Sequence, residues 1–314
     1  AGLLGGGCSA LALYVGRFDL LLLGAGLTGI FRSTHGYFRF AAADTASEEF
    51  KPKAISLVLA GGLLSAFIGP EIVRSTSDEI DSTPYAGAYL AVIAINVIGS
   101  LGLLFLDIPT PPRKKKGEKS GRDLKEIFTQ PKTVVAVICA MVSYAMMTLV
   151  MTSTTLAMTA TGFTTAAAAD VVRWHIIAMF APSFFTGAII SRIGQLRVIT
   201  IGLTLLGIAA FISVSGDDIE NFYFALIALG LGWNFGFIGS TSLLTTTHTS
   251  EEQAKVQGLN DVLVAGLVTI ASFGSGAILQ IYGWEYVQYA MIPALSLAAL
   301  TILWLAIKTR RARA

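Results

Sequence analysis

Three observations predict an all-α fold, a polytopic membrane protein built of apolar helices. Hydrophobic residues make up 54% of the 314, and charged residues only 13%, against about 25% in an ordinary soluble domain. A mean hydropathy of +0.69 leaves too little polar surface to cover a soluble globule. The apolar runs are also long, about 20 residues each, which is the length of helix that crosses a hydrocarbon core. A membrane barrel would instead show alternating strands of about ten residues.

Ten spanning segments are expected, at about 1–15, 18–42, 53–73, 87–107, 133–156, 168–190, 196–215, 221–246, 256–281 and 286–308. The stretch Pro109–Lys132 between the fourth and fifth is rich in Pro and charge and carries eight of the 22 Lys and Arg residues, so it cannot enter a bilayer. It divides the chain into 1–108, a linker at 109–132, and 133–314. With the linker placed on the cytoplasmic side, 17 of the 22 basic residues fall in connections on that side or in the tail. Arg17, Arg74 and Arg173 fall opposite, beside acidic stretches such as Ser77–Asp81 and Asp217–Glu220. This bias fits the positive-inside rule and puts linker and C-terminus in the cytoplasm, with the chain in the inner (plasma) membrane. Anionic lipid headgroups are a further partner open to the basic linker. Cys8 and Cys139 lie far apart inside apolar runs and are read as free thiols.

A repeat is visible. Leu22, Gly26 and Leu27 recur as Leu226, Gly230 and Leu231; Ser47, Glu48 and Glu49 recur as Ser250, Glu251 and Glu252; Lys51 and Gly62 recur as Lys255 and Gly266. The offset is 203 or 204 residues throughout. Both copies start on the same side of the membrane, so the repeat is parallel. The segments at 133–156 and 168–190 have no earlier counterpart. Projected back, their partners would begin about 70 residues upstream of Ala1, so the chain is expected to lack the first two of twelve helices.

The loop Gly187–Arg197, GAIISRIGQLR, resembles the cytoplasmic loop pattern G-x-x-x-D-R-x-G-R-R of the major facilitator superfamily. Gly187, Arg192 and Gly194 match it, and Ser191 stands where the pattern has Asp. The resemblance covers essentially the whole chain and implies two pseudo-symmetric helical bundles that transport a solute by alternating access. The family's antiporter signature, G-x8-G-x3-G-P-x2-G-G, is met at Gly69-Pro70 alone. Ser56 and Ser65 replace its first two glycines, and Val73-Arg74 its closing pair.

By the same resemblance the segments 18–42, 133–156 and 221–246 are the fourth, seventh and tenth helices, three of the four that surround the family's cavity. Arg32, His35 and Arg39 sit at i, i+3 and i+7 on one face of the first of these. A cation at the depth of Arg32 costs roughly 2.5–3.5 kcal/mol in a bilayer, so Arg32 should face water, a carboxylate or a ligand. Arg32 and His35 are candidates for contact with an anionic or zwitterionic solute, against an internal ion pair. Tyr144 and Thr148 on 133–156, and Trp233 and Asn234 on 221–246, are further substrate candidates, against plain helix–helix packing and hydrogen bonding. Gating or coupling candidates are Arg39 with Asp44, Glu71 beside Gly69-Pro70, His175, the loop residues Gly187, Arg192 and Gly194, and Asp261. For each the alternative is a salt bridge, an interfacial hydrogen bond or a kink.

Paired membrane carboxylates, a nucleophile with its base, a Cys/His cluster and a phosphate loop are all missing from the pattern, so no enzyme, cofactor, metal or nucleic acid is expected. A secondary transporter of a small organic solute is expected, a monomer driven by an ion gradient, the proton first, or by the solute's own gradient. The alternatives are efflux of hydrophobic compounds coupled to protons and, from another class, a transporter-like sensor or scaffold without turnover.

Overall fold

The computed structural model describes residues 1–76, 83, 85–105 and 121–311, and within them not the side chains at 33–35, 66, 70, 73, 74 and 311. The His35, Pro70 and Arg74 side chains and the basic run Lys114–Lys116 therefore lie outside the described residues. Fourteen helices run in order: α1 (Gly2–Val15), α2 (Phe18–Asp44), α3 (Lys51–Ala60), α4 (Gly62–Thr76), α5 (Ala86–Leu103), α6 (Leu124–Phe128), α7 (Pro131–Ala160), α8 (Thr165–Phe180), α9 (Ser183–Ile193), α10 (Gln195–Val214), α11 (Ile219–Leu244), α12 (Gln253–Tyr282), α13 (Trp284–Tyr289) and α14 (Met291–Arg311).

Each expected segment is met by one helix or by a pair in series, the pairs being α3 with α4, α8 with α9, and α13 with α14. Among the described residues seven stretches are long and apolar enough to cross a membrane, and an eighth is the pair α8–α9, bent by 40°. The chain is thus a multi-pass membrane protein of the helical kind. Of the ten expected spans, α1, with 14 residues, falls short of the roughly 20 that a crossing needs, and α2, long enough at 27 residues, is not among the stretches apolar enough. Large apolar side chains such as Phe211, Phe273 and Ile270 stand on the outside of their helices, as lipid-facing residues do.

The helices group into two compact units, Ala1–Ala41 with Leu64–Arg113, and Ala42–Leu63 with Lys114–Ala314. In the first, α1 lies against α2 and α5. A Cβ added at Gly5 or Gly24 would come within 2.9 Å of the facing helix's backbone, so small residues set this close crossing.

In the second unit α7 and α11 form the centre, and most residues of α11 beyond Phe222 are buried. Helix α10 approaches α11 so closely that a Cβ at Gly232 would sit 2.9 Å from the Leu206 amide nitrogen. Helix α12 is tied to α7 by the Ser275 hydroxyl, which donates to the Leu149 carbonyl at 2.7 Å. Helix α3 belongs to this unit and packs on α9.

The end of the linker is held rather than free. The Glu252 carboxylate, only 1% exposed, accepts from the Arg122 guanidinium at 2.7 and 2.9 Å, from the Arg122 amide at 2.8 Å and from the Thr249 amide at 3.0 Å. Arg122 also donates to the Thr247 carbonyl, and Lys255 donates to the carbonyl of Arg122. The composition of 109–132 suggests a solvated connection; its described part, from Gly121 on, is instead clamped to the turn between α11 and α12.

The Arg122 guanidinium, helped by the Thr249 amide, holds the Glu252 carboxyl far below the usual carboxylate range. A carboxyl whose pKa is depressed by folding lends stability above its unfolded value and loses it as pH falls through the folded one. Arg122→Ala should therefore lower stability in detergent by about 2 kcal/mol near neutral pH. The gap between variant and parent should persist down to about pH 5 and close only in stronger acid. Thermal unfolding as a function of pH checks this.

Candidate functional site

The polar residues of the second unit fall on three levels along its helices. At the first, Tyr144 of α7 meets α11 edge-on, its ring 5.6 Å from Trp233 and 5.1 Å from Phe237. Trp233 and Phe237, one helical turn apart, stack at 5.4 Å and 16°, and Phe180 at the end of α8 meets Trp233 edge-on at 5.6 Å. Trp233 and Phe237 are each 2% exposed, whereas Tyr144 and Phe180 are half-buried. The Trp233 indole N–H has no hydrogen-bond partner among the described residues. Thr148, one turn beyond Tyr144, is also half-buried. The group is a packed aromatic stack with partial exposure at Tyr144 and Phe180, the Phe180 ring lying against Gly62.

The second level is the bend between α8 and α9. Pro182 has no N–H, so the helix breaks there, and the Met179 carbonyl loses the amide of Ser183 that it would meet in an unbroken helix. Asn234 makes good the loss. Its amide donates to Met179 O at 2.6 Å and to Ser183 Oγ at 2.7 Å, while its carbonyl accepts from Thr186 Oγ1 at 2.6 Å. All of Asn234's described bonds thus go to α8 and α9. Nearer the α8 start, fully buried His175 donates from Nδ1 to the Leu226 carbonyl at 2.8 Å, tying α8 to α11.

The third level is the linker end. The Ser56 hydroxyl of α3 donates to the Ser183 carbonyl and accepts from the Gly187 amide at 3.1 Å. A Cβ at Gly187 would lie 2.6 Å from the Lys53 Cα, so only glycine allows this contact. Gly194 ends α9 at φ 88°, a left-handed conformation that glycine adopts without strain. Arg192 beside it is exposed. Asp44, at the end of α2, accepts from the Gln257 amide of α12 at 3.3 Å, and Asp261 accepts from Asn260 at 3.1 Å.

In the first unit Arg32 is exposed on α2, and Glu71 is exposed on α4. Arg39 is buried; its guanidinium donates to the Gly36 carbonyl at 2.8 Å and lies 4.5 Å from the centre of the Phe40 ring. Among the described residues no group of three or more His, Cys, Asp or Glu could hold a metal ion.

Two residues gain partners that the sequence does not foretell. Ser56 stands there only as a departure from the antiporter signature, and His248 only as a loop residue, although it lines a cavity with Asp44. The second SEE triplet, Ser250–Glu252, is the one sequence signal at that level.

The family model of the Major Facilitator Superfamily matches residues 1–172 and 136–314. The chain is 38% identical over 299 residues to the riboflavin transporter RfnT of Brucella anthropi, covering 94% of this chain and 74% of that protein. It is 28% identical over 313 residues to YdeG, an uncharacterized MFS-type transporter of Bacillus subtilis, covering 93% and 72%. Among solved structures, the superfamily transporter FucP in its outward conformation is similar with a TM-score of 0.70 at 15% identity, covering 96% of this chain and 80% of that one. A bacterial homologue of the iron transporter ferroportin, outward-facing, is similar with a TM-score of 0.64 at 15% identity, covering 97% and 82%.

Asn234→Leu should leave the Met179 carbonyl and the Ser183 hydroxyl without their Asn234 partner, while Thr186 keeps the Pro182 carbonyl, and cost about 1–3 kcal/mol of stability. Thr148→Val, which breaks no described bond, should leave unfolding in detergent unchanged. Parallel melting curves of the two variants test the assignment.

Proposed function

Since the chain belongs to the Major Facilitator Superfamily, whose members here are transporters and not enzymes, we propose that it moves a planar heterocyclic solute of the riboflavin type across the inner membrane by alternating access. The observation that carries this reading is the 38% identity to a riboflavin transporter across 94% of the chain. The ring cluster of Tyr144, Phe180, Trp233 and Phe237 supports it, because aromatic rings stack on flat solutes and Tyr144 and Phe180 remain partly exposed. The residues 1–108 and 133–314 would be the two halves of the transport cycle, and the linker and C-terminus would lie in the cytoplasm, as the basic bias of the connections demands. The energy would come from a cation gradient, the proton first, and the working unit would be a monomer.

One specific observation favours a second reading, an anionic or zwitterionic solute: Arg32 is exposed in the middle of an apolar helix, where an unneutralised cation is costly. Both readings meet in one experiment. The full chain is reconstituted in liposomes loaded with unlabelled riboflavin, and entry of labelled riboflavin by counterflow is measured. Exchange is expected in the parent protein. Tyr144→Ala should raise the half-saturating concentration about fivefold, the size of one lost ring contact, while Arg32→Ala leaves it unchanged. Competition by anionic flavin phosphates that disappears in Arg32→Ala would favour the second reading. Saturable binding with no exchange would instead mark a sensor.

A further inference from the structure

At the linker end of the second unit, a cavity of about 400 Å³ opens among residues that include Asp44, Glu48, Lys51, Thr245 and His248. Every lining residue belongs to that one compact unit. Its charges do not balance. Lys51 is paired with Glu48 at 2.6 Å, so with a neutral imidazole the lining keeps one negative charge, that of Asp44.

The partner of that carboxylate is an amide, not a cation: Gln257 Nε2 donates to Asp44 Oδ1 at 3.3 Å. An arginine or lysine in this place would lock Asp44 in its ionised form. A glutamine amide serves either form, since by turning over it can accept from a protonated carboxyl through Oε1. Gln257 is fully buried, and its Oε1 has no hydrogen-bond partner among the described residues.

His248 adds a second free acceptor. Its Nδ1 lies 3.2 Å from the Thr249 carbonyl, which can only accept, so Nδ1 carries the hydrogen and Nε2 presents a lone pair. That Nε2 is buried and has no partner among the described residues. A cavity lined by the His248 acceptor and by a carboxylate whose side-chain hydrogen-bond partner is an amide, with the Gln257 Oε1 acceptor behind that amide, favours a positive charge. A divalent metal would ask for several His or carboxylate ligands together, and the described residues hold no such group.

We propose that this cavity is the site of the coupling cation, a monovalent cation taken up at Asp44 with Gln257 and His248 as its neighbours. The inference rests on the proposed transport of a solute and adds the group that would link the solute's movement to an ion gradient. A proton would neutralise Asp44 directly, and Na⁺ would be ligated by the same carboxylate and, once the amide turns over, by the Gln257 Oε1. Burial pushes the Asp44 carboxyl up from its ordinary value, opposed by the Gln257 hydrogen bond and by the charges of His248 and Lys51. Burial pushes His248 down, opposed by the Thr249 carbonyl and by Asp44 and Glu252. Of the other charges nearby, Glu48 is held by Lys51 and Glu252 by Arg122.

The test uses the full chain in liposomes and compares three conditions: riboflavin counterflow with no ion gradient, accumulation driven by a pH gradient, and accumulation driven by a Na⁺ gradient. One gradient should drive accumulation in the parent and thereby name the cation. Asp44→Asn should lower that accumulation about tenfold while keeping counterflow within about twofold, because only the coupling is lost. His248→Gln should shift the pH profile of accumulation without abolishing counterflow. Accumulation that survives in Asp44→Asn, or that no gradient drives in an exchanging parent, overturns the proposal and leaves the transport reading standing. A parent that exchanges no riboflavin overturns the solute reading instead. The cation site is then judged without solute, by infrared difference spectra of the purified protein between about pH 5 and pH 8, with and without Na⁺. A carboxyl band that titrates or responds to Na⁺ and vanishes in Asp44→Asn upholds the site; a spectrum identical in parent and variant overturns it.

Discussion

Hydrocarbon offers no partner to a peptide group, so every break in a spanning helix must be repaired from within the protein. The bend between α8 and α9 is built around that constraint. Pro182 frees a carbonyl at the level of Met179, and the Asn234 amide of α11 answers it while also binding Ser183 and Thr186. A bend that would be intolerable in isolation becomes a fixed angle of 40°. It sets the direction of α9, and with α9 the position of Gly187, against which α3 rests.

This contact ties a helix from before the linker to one after it. Helix α3 packs on α9 inside one compact unit through Ser56, which bridges the Ser183 carbonyl and the Gly187 amide. The joint combines those two hydrogen bonds and a glycine-sized gap with a buried apolar cluster, in which Ile55 of α3 packs with Ile190 of α9, Val198 and Ile238. The clamp of Arg122 on Glu252 is of another kind, a charged and multiply bonded anchor that sets where the linker ends.

The aromatic cluster and the acidic cavity lie at different levels of the same unit, connected by α11 and its partners. Trp233 and Phe237 stand on α11, and the turn after its end carries His248. A rotation or tilt of α11 would therefore reach both the rings offered to a planar solute and the surroundings of Asp44. Coupling of a solute to a cation requires a single element that both ligands bias, and α11 is the element common to the two places.

Composition and periodicity alone determined that the chain is a helical membrane protein, where most of its spans lie, and which family pattern its loop resembles. They could do so because a bilayer imposes one length and one polarity on every segment that crosses it. The roles of single polar residues were not legible in that way. Asn234 and Trp233 are neighbours on one helix and look alike as polar-capable residues in an apolar run, yet Asn234 is taken up by the bend of α8 and α9, whereas the Trp233 indole N–H is left without a partner among the described residues. Ser56 reads as a mismatch in a glycine pattern and His248 as a loop residue, until contacts across more than a hundred residues of sequence give each its neighbours. A hydroxyl or an amide acquires its function from the group it faces, and only the packing of helices distant in sequence decides which group that is.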